Sequence, residues 1–183
     1  MSGSEYAPPS GSAFPPVLDA CCGSRMIWFD KADPRCLYVD NRRETWITDT
    51  RPGESPCVVN PDTLADFTAL PFPDESFACV VFDPPHFSKV GDTSRTARKY
   101  GKLPADWRKM LRRGFAECFR VLRQDGVLLF KWCEFEIPLT AVLALTDVKP
   151  LVGNKRPRTA QTHWVAFLKP NIPIHVRADS SAT

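Results

Sequence analysis

The stretch Ala78-Cys79-Val80-Val81-Phe82-Asp83-Pro84-Pro85-His86-Phe87 decides the fold. Its first half is apolar and β-branched without alternation, the pattern of a strand covered on both faces, as in a parallel sheet. Two prolines then stop it, because neither can donate to a ladder and each fixes its own backbone angle. Asp83 is therefore expected at the carboxyl end of a buried strand, where open α/β sheets place their ligands. A strand followed by a stiff turn is the plainer reading of the same residues, so the rest of the chain has to decide.

Working outward, Phe14 to Ser24 begins apolar and turns at Gly23. It reads as a strand over 16–20, a tight turn, and a helix starting over 24–28, whose N-terminus would favour a negatively charged group. Cys36-Leu37-Tyr38-Val39-Asp40 is a second apolar run closing on an acid, 21 residues after Asp19. An acid at that place in nucleotide-binding α/β folds hydrogen-bonds ribose hydroxyls, which makes Asp40 the candidate. A third strand is expected at 57–60, then a short helical turn over 61–64 leading to Asp66-Phe67. A proline-punctuated connection over 70–77 enters the Asp83 strand. Beyond it, Asp106 is expected to cap a helix reaching Arg123, since Trp107, Leu111, Phe115, Cys118, Phe119 and Leu122 recur at spacings of three and four. Gly126 would end that helix, with a strand over 127–132 after it. A helix over 135–145 follows, its regular part starting at Pro138, and strands are expected at 148–152 and 162–168. The alternation of strands and helices gives an α/β fold with a central, mostly parallel sheet and helices on both faces.

The 183 residues suit one domain with a genuine core. The expected organisation is a flexible N-terminal arm over 1–13, a domain over 14–169 and a C-terminal tail over 170–183. The arm has neither a basic start nor an apolar centre, so it is not read as a signal peptide, and no run approaches a membrane span. A cytoplasmic location is expected. The seven cysteines fall mostly in apolar runs, as reduced buried thiols do. No C-x-x-C pair or Cys/His cluster has zinc-finger spacing, so no metal is expected. Charge is uneven. Residues 88–113 hold nine basic and two acidic residues, a net +7, and 149–169 hold five basic residues and no acid. Such clustering suits a phosphate backbone, although a solvated face would also read this way.

Four features in fixed order, D-A-C-C-G-S at 19–24, Val39-Asp40, Asp66-Phe67 before L-P-F-P-D-E-S-F, and D-P-P-H at 83–86, resemble the class I S-adenosylmethionine-dependent methyltransferases. Within these the chain resembles the amino-methyltransferases that carry D-P-P-Y, N-P-P-Y or D-P-P-W, and looks similar to small phage and prophage DNA adenine methyltransferase-like proteins. The resemblance covers roughly residues 14–169. It implies a three-layer Rossmann-like fold with a mostly parallel seven-stranded sheet, and S-adenosylmethionine as cofactor. Asp19, Ala20, Cys21 and Gly23 would lie beside the methionine part of the cofactor, Asp40 would hold the ribose, and Asp66 with Phe67 would meet the adenine. Phe14 is placed to close over the cofactor, and Asp83 would border it. The glycine-rich loop of the family is reduced to Gly23, and His86 stands where a Tyr or Trp stacks on the target base.

The residues themselves carry a chemistry. An aryl amine is a poor nucleophile because its lone pair is delocalised into the ring. Asp83 and the Pro84 carbonyl can accept its N–H bonds, orient the lone pair and stabilise the charge developing on nitrogen, with Pro84 and Pro85 holding the acceptors still. A base in a duplex would flip out, and His86 or Phe87 could stack on it; His86 could equally be a turn residue bonded to nearby backbone. A basic flap over 88–104 would contact phosphates through Lys89, Arg95, Arg98, Lys99 and Lys102, with Tyr100 a second stacker. A basic loop over 153–161, with Lys155, Arg156 and Arg158, faces the same cleft in this reading. The expected activity is methyl transfer to the exocyclic amine of adenine in DNA, by a monomer as default. RNA, a catalytically silent nucleic-acid-binding protein and a small-molecule or protein amide substrate remain alternatives at this level.

Overall fold

The computed structural model describes residues 14–47, 56–154 and 161–171. The expected arm over 1–13, most of the loop over 153–161 and nearly all of the tail lie outside the described residues. In chain order the elements are β1 (Val17–Asp19), β2 (Cys36–Asp40), β3 (Glu44–Trp46), β4 (Cys57–Val59), β5 (Thr63–Leu64), β6 (Phe77–Phe82), α1 (Arg95–Tyr100), α2 (Trp107–Val121), β7 (Leu122–Cys133), α3 (Leu139–Leu143), β8 (Val152–Gly153) and β9 (Thr162–Leu168).

Seven strands form one sheet in the order β5-β2-β1-β6-β7-β9-β8. All neighbours from β5 to β7 are parallel, and only β9 runs against its neighbours. From β1 the chain builds outward to β2 and β5, then crosses to β6 and builds the other way. The crevice between the tips of β1 and β6 is thus a topological switch point, the place where such sheets bind ligands.

One face of the sheet is sealed by helix. Phe115 of α2 lies 5.4 Å from Phe82, 5.0 Å from Phe130 and 6.1 Å from Phe167, ring centre to ring centre. Leu111, Cys118 and Phe119 extend that stripe and are buried, as their spacing predicts, and α3 joins the same core through Val142. Burying each such side chain contributes about 1.5–3 kcal/mol. Gly114 allows the close approach of α2: a Cβ there would fall 2.7 Å from the Phe82 ring and 2.8 Å from that of Phe67.

Several local expectations change. No helix forms at 24–28; residues 20–35 run as turns between β1 and β2. Asp30 and Asp33 accept the backbone N–H groups of Ala32 and Arg35, local bonds that compete with helix. Arg25 sits at φ +54°. Its guanidinium is pinned to the Lys31 and Asn60 carbonyls and to Asp62 and stacks 3.7 Å over Tyr38. These turns cover the second face over β2, where Trp28 and Cys22 pack with Cys36 and Tyr38.

The strand expected at 57–60 is β4, outside the main sheet. It pairs antiparallel with β3 in a separate ribbon. The edge position falls instead to β5, where a helical turn was expected. The Asp62 carboxylate accepts the Tyr38 N–H at 3.0 Å and its own N–H donates to the Tyr38 carbonyl at 2.8 Å, locking β5 alongside β2. Helix α2 stops at Val121, because Leu122 turns extended (ψ 135°) to pair with Phe77. The positive φ falls on Asp125, not on Gly126. Helix α3 is the regular remnant of the expected 135–145 helix and does begin just after Pro138.

Candidate active site

Strand tips bring three aspartates together at the crevice. Asp19 ends β1, Asp40 ends β2 and Asp83 follows β6. Asp19 is 1% exposed. Its Oδ2 accepts the indole N–H of Trp28 at 2.7 Å and its Oδ1 the backbone N–H of Cys21 at 3.3 Å. Burial raises its pKa from the usual carboxylate range to about 7, and the nearby Asp83 and Asp40 push in the same direction. Cys21 and Cys22 beside it are free thiols, also held well above the ordinary range, chiefly by burial.

Asp40 is nearly as enclosed. Oδ2 accepts the N–H of Gly23 at 2.9 Å, and Oδ1 the backbone N–H of Arg42 at 3.0 Å. Gly23 adopts φ +50°, a conformation few side chains tolerate, and a Cβ there would enter open space. The Arg42 guanidinium reaches from Asp40 (3.4 Å) to the carbonyl of Arg98 in α1 (2.7 Å), tying the tip of β2 to the basic segment.

Asp83 differs. Its Oδ2 accepts a charge-assisted bond from Lys131 Nζ at 2.7 Å, an ion pair whose two side chains are 19% and 17% exposed. Its Oδ1 is buried and has no hydrogen-bond partner among the described residues. A buried carboxylate oxygen without a donor is costly and calls for an explanation. Lys131 sits on β7 directly across from Asp83, because Phe82 pairs with Phe130.

His86 is packed, not presented. It is 6% exposed, with ring centres of Phe87, Trp132 and Tyr100 at 4.5, 6.0 and 6.1 Å. Its Nδ1 lies 3.3 Å from the Pro84 carbonyl, which only accepts, so the neutral ring donates from Nδ1. Burial holds its pKa below the ordinary histidine value. The Pro84 carbonyl keeps one lone pair for another donor.

The expected flap is partly a helix. Ser94 caps α1 by accepting the Ala97 N–H at 3.1 Å. Gly101 ends it at φ +75°, so close to the D-P-P-H turn that a Cβ would fall 2.7 Å from Pro85 Cγ. The Leu103 N–H donates to the Phe87 carbonyl at 2.8 Å, and Glu136 accepts the N–H groups of Ser88 and Lys89 at 2.7 and 3.1 Å. The segment is thus fastened over the cleft from both ends.

Cys21, Gly23, Asp40, Phe67, Asp83, Pro84, Pro85, His86, Lys99, Tyr100 and Lys102 all line this cleft, of about 230 Å³. Other expected residues lie elsewhere. Phe14 packs 5.5 Å from both Phe72 and Phe77 at the opposite end of the sheet, where it fills the core beneath β6. Ala20 is buried behind the turn. Asp66 is exposed and accepts the Thr68 N–H at 2.7 Å instead of facing the cleft. Lys102, which does line the cleft, pairs with Asp92 at 2.6 Å. Lys155, Arg156 and Arg158 lie outside the described residues. Trp28, Arg42, Met110 and Lys131 were not singled out by the sequence, since their roles depend on strand register and on a turn that replaces a helix. Among the described residues no group of three His, Cys, Asp or Glu side chains is placed to hold a metal, and no helix is long and apolar enough to cross a membrane.

No protein-family model matches the chain, and no curated protein matches its sequence. Solved structures do. The chain is similar to a TehB-like S-adenosylmethionine-dependent methyltransferase from Corynebacterium glutamicum, with a TM-score of 0.52 and 14% identity over 87% of this chain and 83% of that one. It is likewise similar to the PH0226 protein of Pyrococcus horikoshii, with a TM-score of 0.50 and 15% identity over 84% and 81% of the two chains. A mostly parallel seven-stranded sheet with one antiparallel strand and a crevice at its switch point is thus the Rossmann-like fold of class I S-adenosylmethionine-dependent methyltransferases.

Proposed function

We propose that the protein is an S-adenosylmethionine-dependent N-methyltransferase acting on the exocyclic amine of a nucleic-acid base, with adenine in DNA as the first substrate to test. The observation that carries this reading is the buried, unpartnered Oδ1 of Asp83 at the switch point.

The cofactor fits the residues on three counts. Asp40 retains lone pairs for ribose hydroxyls beyond those used by Gly23 and Arg42, because a carboxylate offers about four. Gly23 leaves open space beside the turn. Asp19 is bonded only by neutral donors, Trp28 and Cys21, so a cation would relieve the burial that raises its pKa. When bound, the cofactor supplies an electrophilic methyl on a sulfonium centre.

The chain's own residues then orient the acceptor. Lys131 fixes one oxygen of Asp83 and leaves the other to receive an amine N–H. The Pro84 carbonyl receives the second. With both N–H bonds held, the nitrogen lone pair projects out of the ring plane. The ionised Asp83 also stabilises the positive charge that develops on nitrogen during in-line transfer, at no reorganisation cost because Pro84 and Pro85 are rigid. Tyr100, 37% exposed beside the cleft, is the ring most available to stack on a planar base. His86 acts beneath it by holding the Pro84 carbonyl.

The test is incubation with methyl-labelled S-adenosylmethionine and separate DNA and RNA pools, followed by nucleoside analysis. Label in N6-methyladenine from DNA is the expected result. Label only in RNA moves the substrate, and no label in any base while the cofactor binds removes the reading.

A further inference from the structure

A second cavity, of about 440 Å³, adjoins the cleft and shares Ser24, Met26 and Lys99 with it. Its walls are the turn after β1, the β3–β4 ribbon and α1. Two features set it apart from ordinary surface. First, among the described residues its lining carries the basic residues Arg25, Lys31, Arg95 and Lys99 and no acidic one. Arg25 is committed to the Lys31 and Asn60 carbonyls and to Asp62, so it builds the wall. Lys31 is exposed, and Lys99 lies 5.3 Å over the Tyr100 ring at the junction with the cleft. Second, Trp46 contributes a buried indole N–H that has no hydrogen-bond partner among the described residues. An indole nitrogen only donates, so it awaits an acceptor. A cluster of cations, an unsatisfied donor and an aromatic edge next to the cleft together describe a receptor for an anionic group attached to a planar ring.

We propose that this cavity is a phosphate-binding subsite that takes the nucleotide unit flanking the target base, its phosphate between Lys31 and Lys99 and an acceptor of the unit on the Trp46 N–H. The proposal rests on the nucleic-acid reading above and adds to it the place where the polynucleotide is held. It also explains why net positive charge sits in α1 directly after the D-P-P-H turn: Lys99 faces both cavities and would bind the phosphate between the flipped base and its neighbour.

The experiment titrates the full chain, without cofactor, with deoxythymidine 5′-monophosphate, following tryptophan fluorescence against a Trp46→Phe variant that removes one of the five tryptophans. Thymidine without phosphate and inorganic phosphate are run alongside. The expected result is a saturable change carried by Trp46 and at least about tenfold weaker binding in Lys31→Glu and in Lys99→Glu, as expected for lost charge-assisted contacts. Thymidine should bind worse by a similar factor, and added salt should weaken the nucleotide. Saturating S-adenosylhomocysteine should leave the nucleotide affinity unchanged. Absence of a saturable signal overturns the proposal, as does affinity untouched by both lysine variants or by loss of the phosphate, or a signal that persists in Trp46→Phe. Competitive displacement by S-adenosylhomocysteine also overturns it, because the cavity would then belong to the cofactor. Lys31 is exposed, so its variant is expected to keep the wild-type melting temperature. Thymine has no exocyclic amine, so nucleotide binding with no methyl transfer to DNA or RNA would keep the subsite and remove the amine clamp, whereas methyl transfer without nucleotide binding would do the reverse.

Discussion

The tips of β1 and β6 carry the same side chain on neighbouring strands and end in opposite states. Asp19 is wholly buried and bonded on both oxygens, by Trp28 and Cys21, yet has no cation among those partners. Asp83 has a cation on one oxygen and, among the described residues, nothing on the other. The difference separates two uses of a carboxylate. Asp19, complete in hydrogen bonds but short of charge balance, is suited to sense a positively charged ligand at a distance. Asp83, balanced in charge but short of one hydrogen bond, is suited to grip a donor directly.

Replacing Lys131 with Met would make the β6 tip resemble the β1 tip and is expected to have the largest effect. Asp83 would lose the bond that orients it, and methyl transfer should fall by about 10²-fold. Cofactor affinity should change far less, and Lys131→Arg should recover part of the rate. Equal loss of cofactor affinity, measured by calorimetry, would place Lys131 in the cofactor site instead.

The next effect is on pH dependence. Asp19 has a pKa of about 7, so a cationic cofactor should bind more tightly as pH rises from 6 to 8, by about tenfold, and level off above. Asp19→Asn should abolish that dependence. Stability runs the other way. Because the folded pKa lies above the unfolded one, the folded protein holds this proton more tightly, and the penalty for burying the charge accumulates from about pH 4 and is complete above about pH 7. Its ceiling is on the order of 4 kcal/mol. Thermal melts at pH 5 and pH 8 should therefore show the wild type losing more stability than Asp19→Asn, and a difference of opposite sign would contradict the buried, cation-free environment.

Smaller effects are local to each tip. Gly101→Ala combines a Cβ 2.7 Å from Pro85 with φ +75° and should cost about 1–3 kcal/mol, read as a lower melting temperature, while loosening the segment over Asp83. Trp28→Phe removes the indole bond to Asp19 and should cost about 1–2 kcal/mol without altering the rate of transfer at saturating cofactor.

The same contrast marks how far the sequence could be read. Strands β1, β2, β6 and β9 are apolar runs, and the α2 stripe is written at spacings of three and four; local pattern suffices for each. Asp19, Asp40 and Asp83 are legible because each ends such a run. What orients Asp83 is not local: Lys131 lies 48 positions away and meets it only through the β6–β7 register. The turn at 20–35 escaped because Gly23 and Ser24 carry a plausible helix start, while the competing bonds come from the Asp30 and Asp33 side chains and from Arg25 reaching Asn60 and Asp62. Phe14 was drawn to the cleft by its place in the sequence, and the structure puts it at the far end of β6 because a phenyl ring is better buried between Phe72 and Phe77.

In the proposed reaction the free oxygen of Asp83 holds the amine that is methylated. This role is tested most directly by single-turnover transfer at saturating S-adenosylmethionine, comparing wild type with Asp83→Asn, a variant of the same shape that lacks the charge. Transfer slower by about 10²- to 10³-fold is expected, with cofactor affinity within a few-fold of wild type. Equal transfer rates would contradict the role.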